Sequence, residues 1–392
     1  MDNVFGFEEC VAHLFEFEAL LKEHGITISQ KVLQARGPSD LGSSDLGDAS
    51  YSLLEVLFVF RNEMAVGVPN DQRLARDLAG LADLMAKLLG IKRHPEFTKL
   101  VPHLHYLANC RLLLNQRSSI LDQEANKIIE LYWAALCLSI GGMDLELDQG
   151  GSESSPDVLV NLSGRRWAFE CKTPQASTQE SRGLALRSLL EKAVRQINGP
   201  PAEVGIPIIN AKNLIDHERV WTAPGNSAVY EHALDAMEEA PLRMTVDMMA
   251  QVGREELCRL FSGGKSLPCF LFFLQSTTLV HLSQFAPPVA TRLNDLLPQL
   301  LCEHKLAPED ESVFQALNDA VMRGFPLVSR DPEVMGGTAV FPATRVPVQT
   351  LLDYLAAGET IDDFLEGFPS VKREQVIAFL EAATERLVAT TP

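Results

Sequence analysis

Two acidic residues and a lysine near the middle of the chain have types and spacing suited to metal-assisted hydrolysis. Asp157 follows a proline, and Glu170 and Lys172 flank Cys171. Two carboxylates that approach each other suit a hard cation such as Mg²⁺, which prefers oxygen ligands and keeps several waters. The Cys171 backbone carbonyl is a candidate further ligand. A lysine two residues after a ligand shares its face of a strand, where it can orient or deprotonate an attacking water.

These residues lie on two short β-type segments that predict an antiparallel hairpin. Residues 158–162 and 167–172 flank a Gly-containing polar turn at residues 163–166. A turn centred between Gly164 and Arg165, with two or four loop residues, pairs Leu162 with Trp167 and Asp157 with Lys172. Asp157 and Glu170 are then diagonal neighbours, with Cβ atoms roughly 7–8 Å apart. A slip of one residue would mix the two faces, because one face is wholly apolar: Val158, Val160, Leu162, Trp167, Phe169 and Cys171.

The helix predicted before the hairpin, residues 118–140, carries one conspicuous charge. Glu130 is the only charged residue between Ile128 and Met143. Burying a carboxylate alone is costly, so Glu130 either points to solvent or meets a cation or donor. We expect it to meet the hairpin site.

Composition indicates a globular protein of two or more domains: 392 residues, 46% apolar and 22% charged. A formal net charge of −18 argues against a general nucleic-acid coat protein and against binding to an anionic membrane. Residues 160–200 nevertheless carry seven Arg or Lys against three Glu. This local excess is either a phosphate-binding surface or a solvated face.

The seven scattered cysteines include no CxxC pair and predict reduced thiols in a cytoplasmic protein. The acidic start of the chain predicts no targeting leader, and the apolar runs are too short to cross a bilayer.

Periodicity and breaker residues predict four parts. These are a helical N-terminal region at 1–110, an α/β domain with a mixed sheet at 111–285, a helical connector at 286–330, and a three-helix domain at 331–392. In the last part, Thr360 and Ser370 are candidate helix N-caps. Three short helices are compatible with a helix-turn-helix, although their acidic balance is poor for DNA.

Pro156-Asp157, followed after twelve residues by Glu170-x-Lys172, resembles the signature of the PD-(D/E)xK nuclease superfamily. The resemblance covers roughly residues 118–215 and implies a restriction-endonuclease-like fold. It implies Mg²⁺- or Mn²⁺-dependent phosphodiester hydrolysis, with Asp157 and Glu170 as metal ligands, Lys172 at the water and Glu130 on the upstream helix. The expected nucleic-acid contacts are Arg165, Arg166, Arg182, Arg187, Lys192, Arg195, Gln196 and Lys212.

The C-terminal segment resembles a small antitoxin-like helix-turn-helix family, domain of unknown function 433. The resemblance rests on residues 331–338, Thr344-Arg345-Val346-Pro347-Val348, Leu352-Asp353-Tyr354-Leu355, Gly358-Glu359 and Phe368-Pro369. The family usually has Arg-Gly where Pro342-Ala343 stand here, so a contact made by that arginine is in doubt. The match implies a prokaryotic protein whose tail binds a toxin-like partner, DNA or its own copy.

Three other motifs are weaker candidates. Residues 262–266 end like a P-loop, but Arg259 replaces the first glycine. His103 and His105 lack acidic or cysteine partners nearby in sequence and are expected at the surface. His217 is expected to be a structural histidine, with a place at the edge of the site as the alternative.

The sequence therefore predicts a metal-dependent endonuclease, with DNA as the expected substrate, RNA as an alternative, and a homodimer as the expected assembly. A defence or toxin–antitoxin role follows from the pairing with the tail. The competing hypothesis is a non-catalytic protein that keeps the nuclease fold and binds DNA or a partner.

Overall fold

The computed structural model describes most of the chain as an α/β fold. The described residues are 7–26, 72–108, 123–148, 155–174, 181–199, 201–222, 229–280, 289–302, 306–322, 329–330, 335–341, 344–371, 373, 375–377 and 379–380. The α-helices are α1 Phe7–Glu23, α2 Gln72–Gly90, α3 Val101–Leu104, α4 Gln123–Ser139, α5 Arg182–Ile197, α6 His217–Trp221, α7 Val229–Val252, α8 Arg254–Phe261, α9 Pro308–Met322, α10 Val348–Ala356 and α11 Ile361–Gly367. Short 3₁₀ helices cover Phe97–Leu100, His105–Ala108, Ala211–Asn213 and Met335–Gly337.

A six-stranded mixed sheet forms the centre of the fold, in the order β1 to β6. Its first two pairings and its last are antiparallel, whereas β3, β4 and β5 run parallel. Every residue of β4 is buried, as expected for a parallel strand covered on both faces. The strands are β1 Met143–Leu147, β2 Val158–Leu162, β3 Arg165–Lys172, β4 Val204–Asn210, β5 Cys269–Val280 and β6 Val289–Leu300, with a separate pair β7 Ser329–Arg330 and β8 Ala339–Val340.

Helices cover both faces of the sheet, and alternate residues along β5 show the two layers. Leu271 and Phe273 belong to an apolar cluster shared with α1, α2 and α4. Phe270 and Phe272 point the other way, into a cluster shared with α5, α7 and α8. The predicted α/β class with a mixed sheet is therefore confirmed.

The predicted hairpin is present, but its predicted register is wrong by two residues. Leu162 pairs with Arg165 and Val160 with Trp167, so the loop is only Ser163-Gly164. Both loop residues have positive φ, 49° and 78°, which is the geometry of a type I′ turn and matches the twist of the strands. A shift of two residues keeps side-chain parity. The predicted apolar face is therefore kept, and its members on β2 and β3 are buried except Cys171, which is half-buried.

The expected helical connector at 286–330 is wrong over its first half. Val289–Leu300 is β6, paired along its whole length with β5, and the helix found among the described residues of this part is Pro308–Met322. The periodic apolar residues that predicted a helix instead serve a twelve-residue edge strand. The helices α1 and α2 also share an apolar cluster with the sheet, so the part predicted as a separate N-terminal region packs on the central domain. Residues 27–71 of the predicted helical N-terminal region lie outside the described residues.

The prediction that all cysteines are reduced is wrong for one pair. Cys258 on α8 and Cys302 after β6 form a disulfide, with Cα atoms 5.8 Å apart. They are 44 residues apart in sequence, and no spacing motif marks the pair. Cys137, Cys171 and Cys269 are free thiols.

A buried polar network connects the N-terminal helices to the sheet. The Asp83 carboxylate on α2 is fully buried. It accepts hydrogen bonds from the Tyr132 hydroxyl at 2.8 Å and the Gln275 amide at 3.3 Å. It also lies 3.4 Å from the Lys87 ammonium and 3.7 Å from the Arg292 Nε. Four elements therefore meet at one carboxylate.

The C-terminal domain has two of its three predicted helices within the described residues. Thr360 caps α11 as predicted, in a capping box with Asp363. An apolar cluster around Phe341, Leu351 and Phe364 forms its own core. The third predicted helix lies partly outside the described residues. Among the helices of the described part of the chain, none is long and apolar enough to cross a membrane.

Candidate active site

The two carboxylates predicted as metal ligands lie opposite each other, and the backbone fixes both. The Asp157 N–H donates to Glu170 Oε2 at 3.0 Å, and the Cys171 N–H donates to Asp157 Oδ2 at 2.8 Å. The observed register makes Asp157 the position that faces Glu170 directly, closer than the predicted diagonal. Each carboxylate is held by the other strand, so their relative position is set by the hairpin.

Lys172 lies on the same face of β3 and forms an ion pair with Glu170 Oε1. Glu170 is fully buried and Lys172 is half-buried. The lysine ammonium is therefore beside the carboxylate pair, at the open side of the site. The structure brings Asp157, Glu170 and Lys172 together, while their roles in a metal site stay predictions.

Glu130 faces the site from α4 and has two partners of its own. The Lys127 ammonium donates to Glu130 Oε2 at 2.7 Å, and His103 Nε2 lies 3.1 Å from the same oxygen. His103 is fully buried, so its expected surface position is wrong, whereas His105 is exposed as expected. Sequence alone did not indicate His103 or Lys127. The only available signal was the spacing of Lys127 and Glu130, one helical turn apart.

Burial and neighbouring charges shift the pKa values of the groups at this site. Burial raises the pKa of Asp157 well above its ordinary value, and the charges of Glu170 and Glu130 raise it further. Burial also raises the Glu170 pKa, against the opposing effect of Lys172. Burial opposes ionisation of Lys172, but Glu170 and Asp157 still raise the lysine pKa. The Cys171 thiol pKa is raised by burial and by the same carboxylates, so this thiol is a poor nucleophile.

The carboxylate oxygens of Asp157 and Glu170 suit a hard divalent cation, although several of them already accept hydrogen bonds from the protein. Asp157 keeps Oδ1 clear of the hydrogen bond to Cys171, while Lys172 occupies one oxygen of Glu170. Within the described ranges, no group of three or more His, Cys, Asp or Glu side chains is arranged as a metal site. Asp157 and Glu170 would therefore hold the cation only after the Lys172 ammonium moves off Glu170. The predicted roles of Glu130 and the Cys171 carbonyl as ligands stay predictions.

Several of the expected nucleic-acid contacts already have carboxylate partners. Arg165 pairs with Asp310 at 2.6 Å, Arg166 with Glu146 at 2.5 Å, and Arg187 with Glu191 at 3.0 Å. Each would have to exchange its partner for a phosphate. Lys212 is buried. Its predicted phosphate contact is therefore wrong for this conformation, because the side chain does not reach the surface. Arg182 also has an interaction within the fold.

The remaining expected contacts lie on the last turns of α5. Lys192 and Arg195 are exposed. Gln196 donates to the Ser155 carbonyl at 3.3 Å, which places this helix end beside the chain that leads into Asp157. Lys192 is one helical turn before Gln196. This helix end is therefore the part of the basic segment that can approach a substrate at the site.

A line of polar side chains that the sequence did not indicate continues from the site across the sheet. Thr173, directly after Lys172, donates to the Asn126 amide oxygen on α4 at 3.2 Å. The Asn210 amide at the end of β4 donates to the Thr173 hydroxyl at 3.5 Å. These groups lie at the carboxyl ends of parallel strands β3 and β4, where α/β sheets commonly place ligands. The site is therefore wider than the hairpin.

His217 is a structural histidine, as expected. Its Nε2 donates to the Lys212 carbonyl at 2.8 Å, and its Nδ1 accepts from the Ser276 hydroxyl at 2.9 Å. Both nitrogens are used in the neutral form. Burial lowers the pKa of His217 from 6.5 to about 4, helped by the charges of Arg292 and Arg76.

Stability is therefore expected to fall as the pH drops from 6.5 towards 4. In that window the unfolded chain binds a proton at His217 while the folded protein does not. The loss reaches up to about 3 kcal/mol. Urea midpoints measured at several pH values should show a shallower slope for His217→Gln. His105→Gln, at an exposed histidine, should keep the wild-type slope, and equal slopes for wild type and His217→Gln would contradict the assignment.

A match to a protein family lies in the C-terminal part of the chain. Residues 328–382 match a family model described as "Protein of unknown function (DUF433)". Among curated proteins, the chain is similar to "Uncharacterized protein y4eO" of Sinorhizobium fredii (strain NBRC 101917 / NGR234), 38% identical over 50 residues. That match covers 13% of this chain and 23% of the relative. No solved structure matches the chain. The resemblance expected for the C-terminal domain is therefore confirmed, whereas the family of the hairpin region stays a prediction.

Proposed function

We propose that the central domain is a metal-dependent phosphodiesterase with a restriction-endonuclease-like fold, acting as an endonuclease on DNA. The observation that carries the proposal is a pair of hydrogen bonds across the hairpin, by which the Asp157 and Glu170 carboxylates are each held by the opposite strand. These hydrogen bonds hold two carboxyl groups side by side, with Glu170 fully buried and Asp157 half-buried. A close carboxylate pair rarely has a purely structural role, because the two negative charges repel each other and lose hydration.

Each residue of the site has a role that follows from its position. Asp157 and Glu170 would hold Mg²⁺ or Mn²⁺, which supplies Lewis-acid polarisation of the phosphate and a more acidic water. Lys172, released from Glu170, donates to the phosphate oxygens or orients the attacking water at the open side. Glu130 is a positioning residue, held by His103 and Lys127 beside the carboxylate pair.

The end of α5 is proposed to bind the sugar-phosphate backbone. Lys192 and Arg195 are exposed there, and phosphate contacts position a nucleic acid without reading its sequence. The C-terminal domain would target or control the nuclease in a prokaryotic, cytoplasmic defence or toxin–antitoxin role. It would do so by binding a partner, DNA or a second copy in a homodimer.

A second function, binding without cleavage, is favoured by one feature of the same site. Lys172 and Lys127 already neutralise Glu170 and Glu130. A site whose carboxylates are satisfied by lysines is stable without a metal, so the hairpin could serve a DNA- or partner-binding protein that has lost catalysis.

Plasmid cleavage distinguishes the two functions. The purified chain should nick or linearise supercoiled DNA with Mg²⁺ and lose this activity with EDTA. Lys172→Met should lower the rate about 10²-fold, because it removes one positioned cation from the transition state. Arg259→Gln, on the exposed face of α8, is the control and should cut at the wild-type rate. If wild type cuts neither DNA nor RNA while it retards DNA in gels, the binding function is correct.

A further inference from the structure

A second polar cavity lies at the other end of the sheet from the candidate active site. Its volume is about 430 Å³, and its wall includes both Cys258 and Cys302. Arg165, the first residue of β3, borders it, whereas Lys172 ends the same strand. Arg165 and Lys172 lie seven residue steps, or about 23 Å, apart along β3. This volume is within the range of small-molecule sites.

The cavity carries charged groups suited to a small zwitterion with carboxylates. Lys265 uses its ammonium to donate to the Gly199 carbonyl at 3.2 Å, which leaves two of its three N–H donors. Arg165 binds Asp310 through Nη1, and within the described part of the chain no partner is seen for its Nη2. Glu203 is exposed at the same cavity; its Oε2 accepts from the Arg166 N–H at 2.9 Å, and its Oε1 remains for an ammonium group. Of the P-loop-like residues 262–266, all but Gly263 are part of this wall.

The disulfide in the wall is accessible, unlike two of the free thiols. Cys258 and Cys302 are both half-buried at the cavity, whereas Cys137 and Cys269 are buried in the apolar core. Burial also raises the Cys137 pKa well above its ordinary value and the Cys269 pKa to about 12. Thiol–disulfide exchange requires access to a sulfur atom. Among the cysteines that the structure describes, Cys258 and Cys302 are joined in a disulfide and are both half-buried at the cavity, so this disulfide is placed for exchange with a small-molecule thiol.

We propose that the cavity binds a small peptide thiol carrying carboxylates and an ammonium group, and that this thiol exchanges with the Cys258–Cys302 disulfide. The ligand thiolate attacks one of the two sulfurs, a mixed disulfide forms, and the electron pair of the broken bond stays on the displaced cysteine, which takes a proton from water. A second thiolate then attacks the mixed disulfide. It releases the oxidised small disulfide and leaves both cysteines as thiols, so two ligand thiols are oxidised for one protein disulfide reduced.

Exchange would change how α8 is fixed to the sheet. The disulfide joins α8 to the residue that follows Leu301, and Leu301 packs in the same apolar cluster as Leu257 and Phe261. Reduction leaves these apolar contacts in place but removes the covalent link. The cavity then becomes a redox-responsive site, independent of whether the central domain cuts DNA.

The test measures reduction of the disulfide in the intact chain by two thiols. Reduced glutathione, a charged peptide thiol, is compared with 2-mercaptoethanol at equal thiolate concentration, followed by alkylation and mass measurement. Lys265→Gln should slow reduction by glutathione about tenfold, because a charge-assisted hydrogen bond contributes about 1.4 kcal/mol or more. The rate with 2-mercaptoethanol should stay unchanged. Arg259→Gln, on α8 but outside the cavity wall, should match wild type with both thiols.

A second variant traps the intermediate. Cys258→Ser, treated with oxidised glutathione, should accumulate a mixed disulfide between glutathione and Cys302: the Cys302 thiolate displaces one glutathione thiolate from the disulfide, and no second cysteine resolves the product. The proposal is overturned if wild type alkylates at both cysteines before any thiol is added. It is equally overturned if Lys265→Gln slows both thiols alike, or neither.

Discussion

Asp157→Asn is expected to lower Mg²⁺-dependent cleavage about 10³-fold and, in the same protein, to raise the melting temperature without metal. The first effect follows because a metal ligand supports several kcal/mol of transition-state stabilisation, and each 1.4 kcal/mol is tenfold in rate. The second follows from the raised pKa of Asp157. At neutral pH the folded protein must either bury this charge beside Glu170 or bind a proton, and a neutral amide needs neither. The amide oxygen can still accept from the Cys171 N–H.

The two effects separate a functional carboxylate from a structural one. In wild type, Mg²⁺ at about a hundred times its Kd should stabilise the fold by about 2.7 kcal/mol, whereas the variant should show almost no such increase. Thermal melts with Mg²⁺ or EDTA measure this without any substrate. Asp319→Asn, at an exposed position on α9 that bonds only Gln315 among the described residues, should behave as wild type. Wild-type cleavage by Asp157→Asn, or a lower melting temperature without metal, would contradict the proposed site.

The sequence was sufficient to place Asp157, Glu170 and Lys172 near one another, because side-chain parity is a robust property of strands. The apolar residues of the hairpin fixed which side chains share a face, and an error of two residues in register left that face unchanged. Side-chain parity does not determine the length of the turn. Ser163 takes a positive φ that serine rarely adopts, so the two-residue loop had no Asn-Gly or Asp-Gly signal.

Long-range partners were beyond the reach of the sequence. His103 meets Glu130 from 27 residues away, and Cys258 meets Cys302 across 44 residues. Neither pair has a spacing motif, because tertiary packing alone brings them together. β6 was misread as a helix for a related reason. Its inner residues Leu293 and Leu296 belong to different apolar clusters on the two faces of the sheet. A strand that is covered on both faces lacks the clear alternation of apolar and polar residues that would identify it.

Asp83→Ala is expected to destabilise the protein by about 3–5 kcal/mol, the cost typical of removing one partner of a buried ion pair. The substitution leaves the Lys87 ammonium, 3.4 Å from Asp83, and the buried Arg292 without their shared carboxylate. The Tyr132 hydroxyl and the Gln275 amide also lose an acceptor. Urea unfolding followed by circular dichroism measures the change.

The matched control is Asp319→Ala, the same substitution at an exposed position, which should change stability by less than about 0.5 kcal/mol. Asp83→Asn should fall between the two, because the amide keeps an acceptor for Tyr132 but loses the charge that Lys87 and Arg292 face. The size of the loss in Asp83→Ala shows whether the N-terminal helices and the sheet unfold together. Asp83 joins α2 to α4, β5 and β6, so a large loss shows that the N-terminal helices and the sheet unfold as one unit. A loss below about 1 kcal/mol for Asp83→Ala would mean that water replaces the carboxylate and that the two parts are stabilised separately.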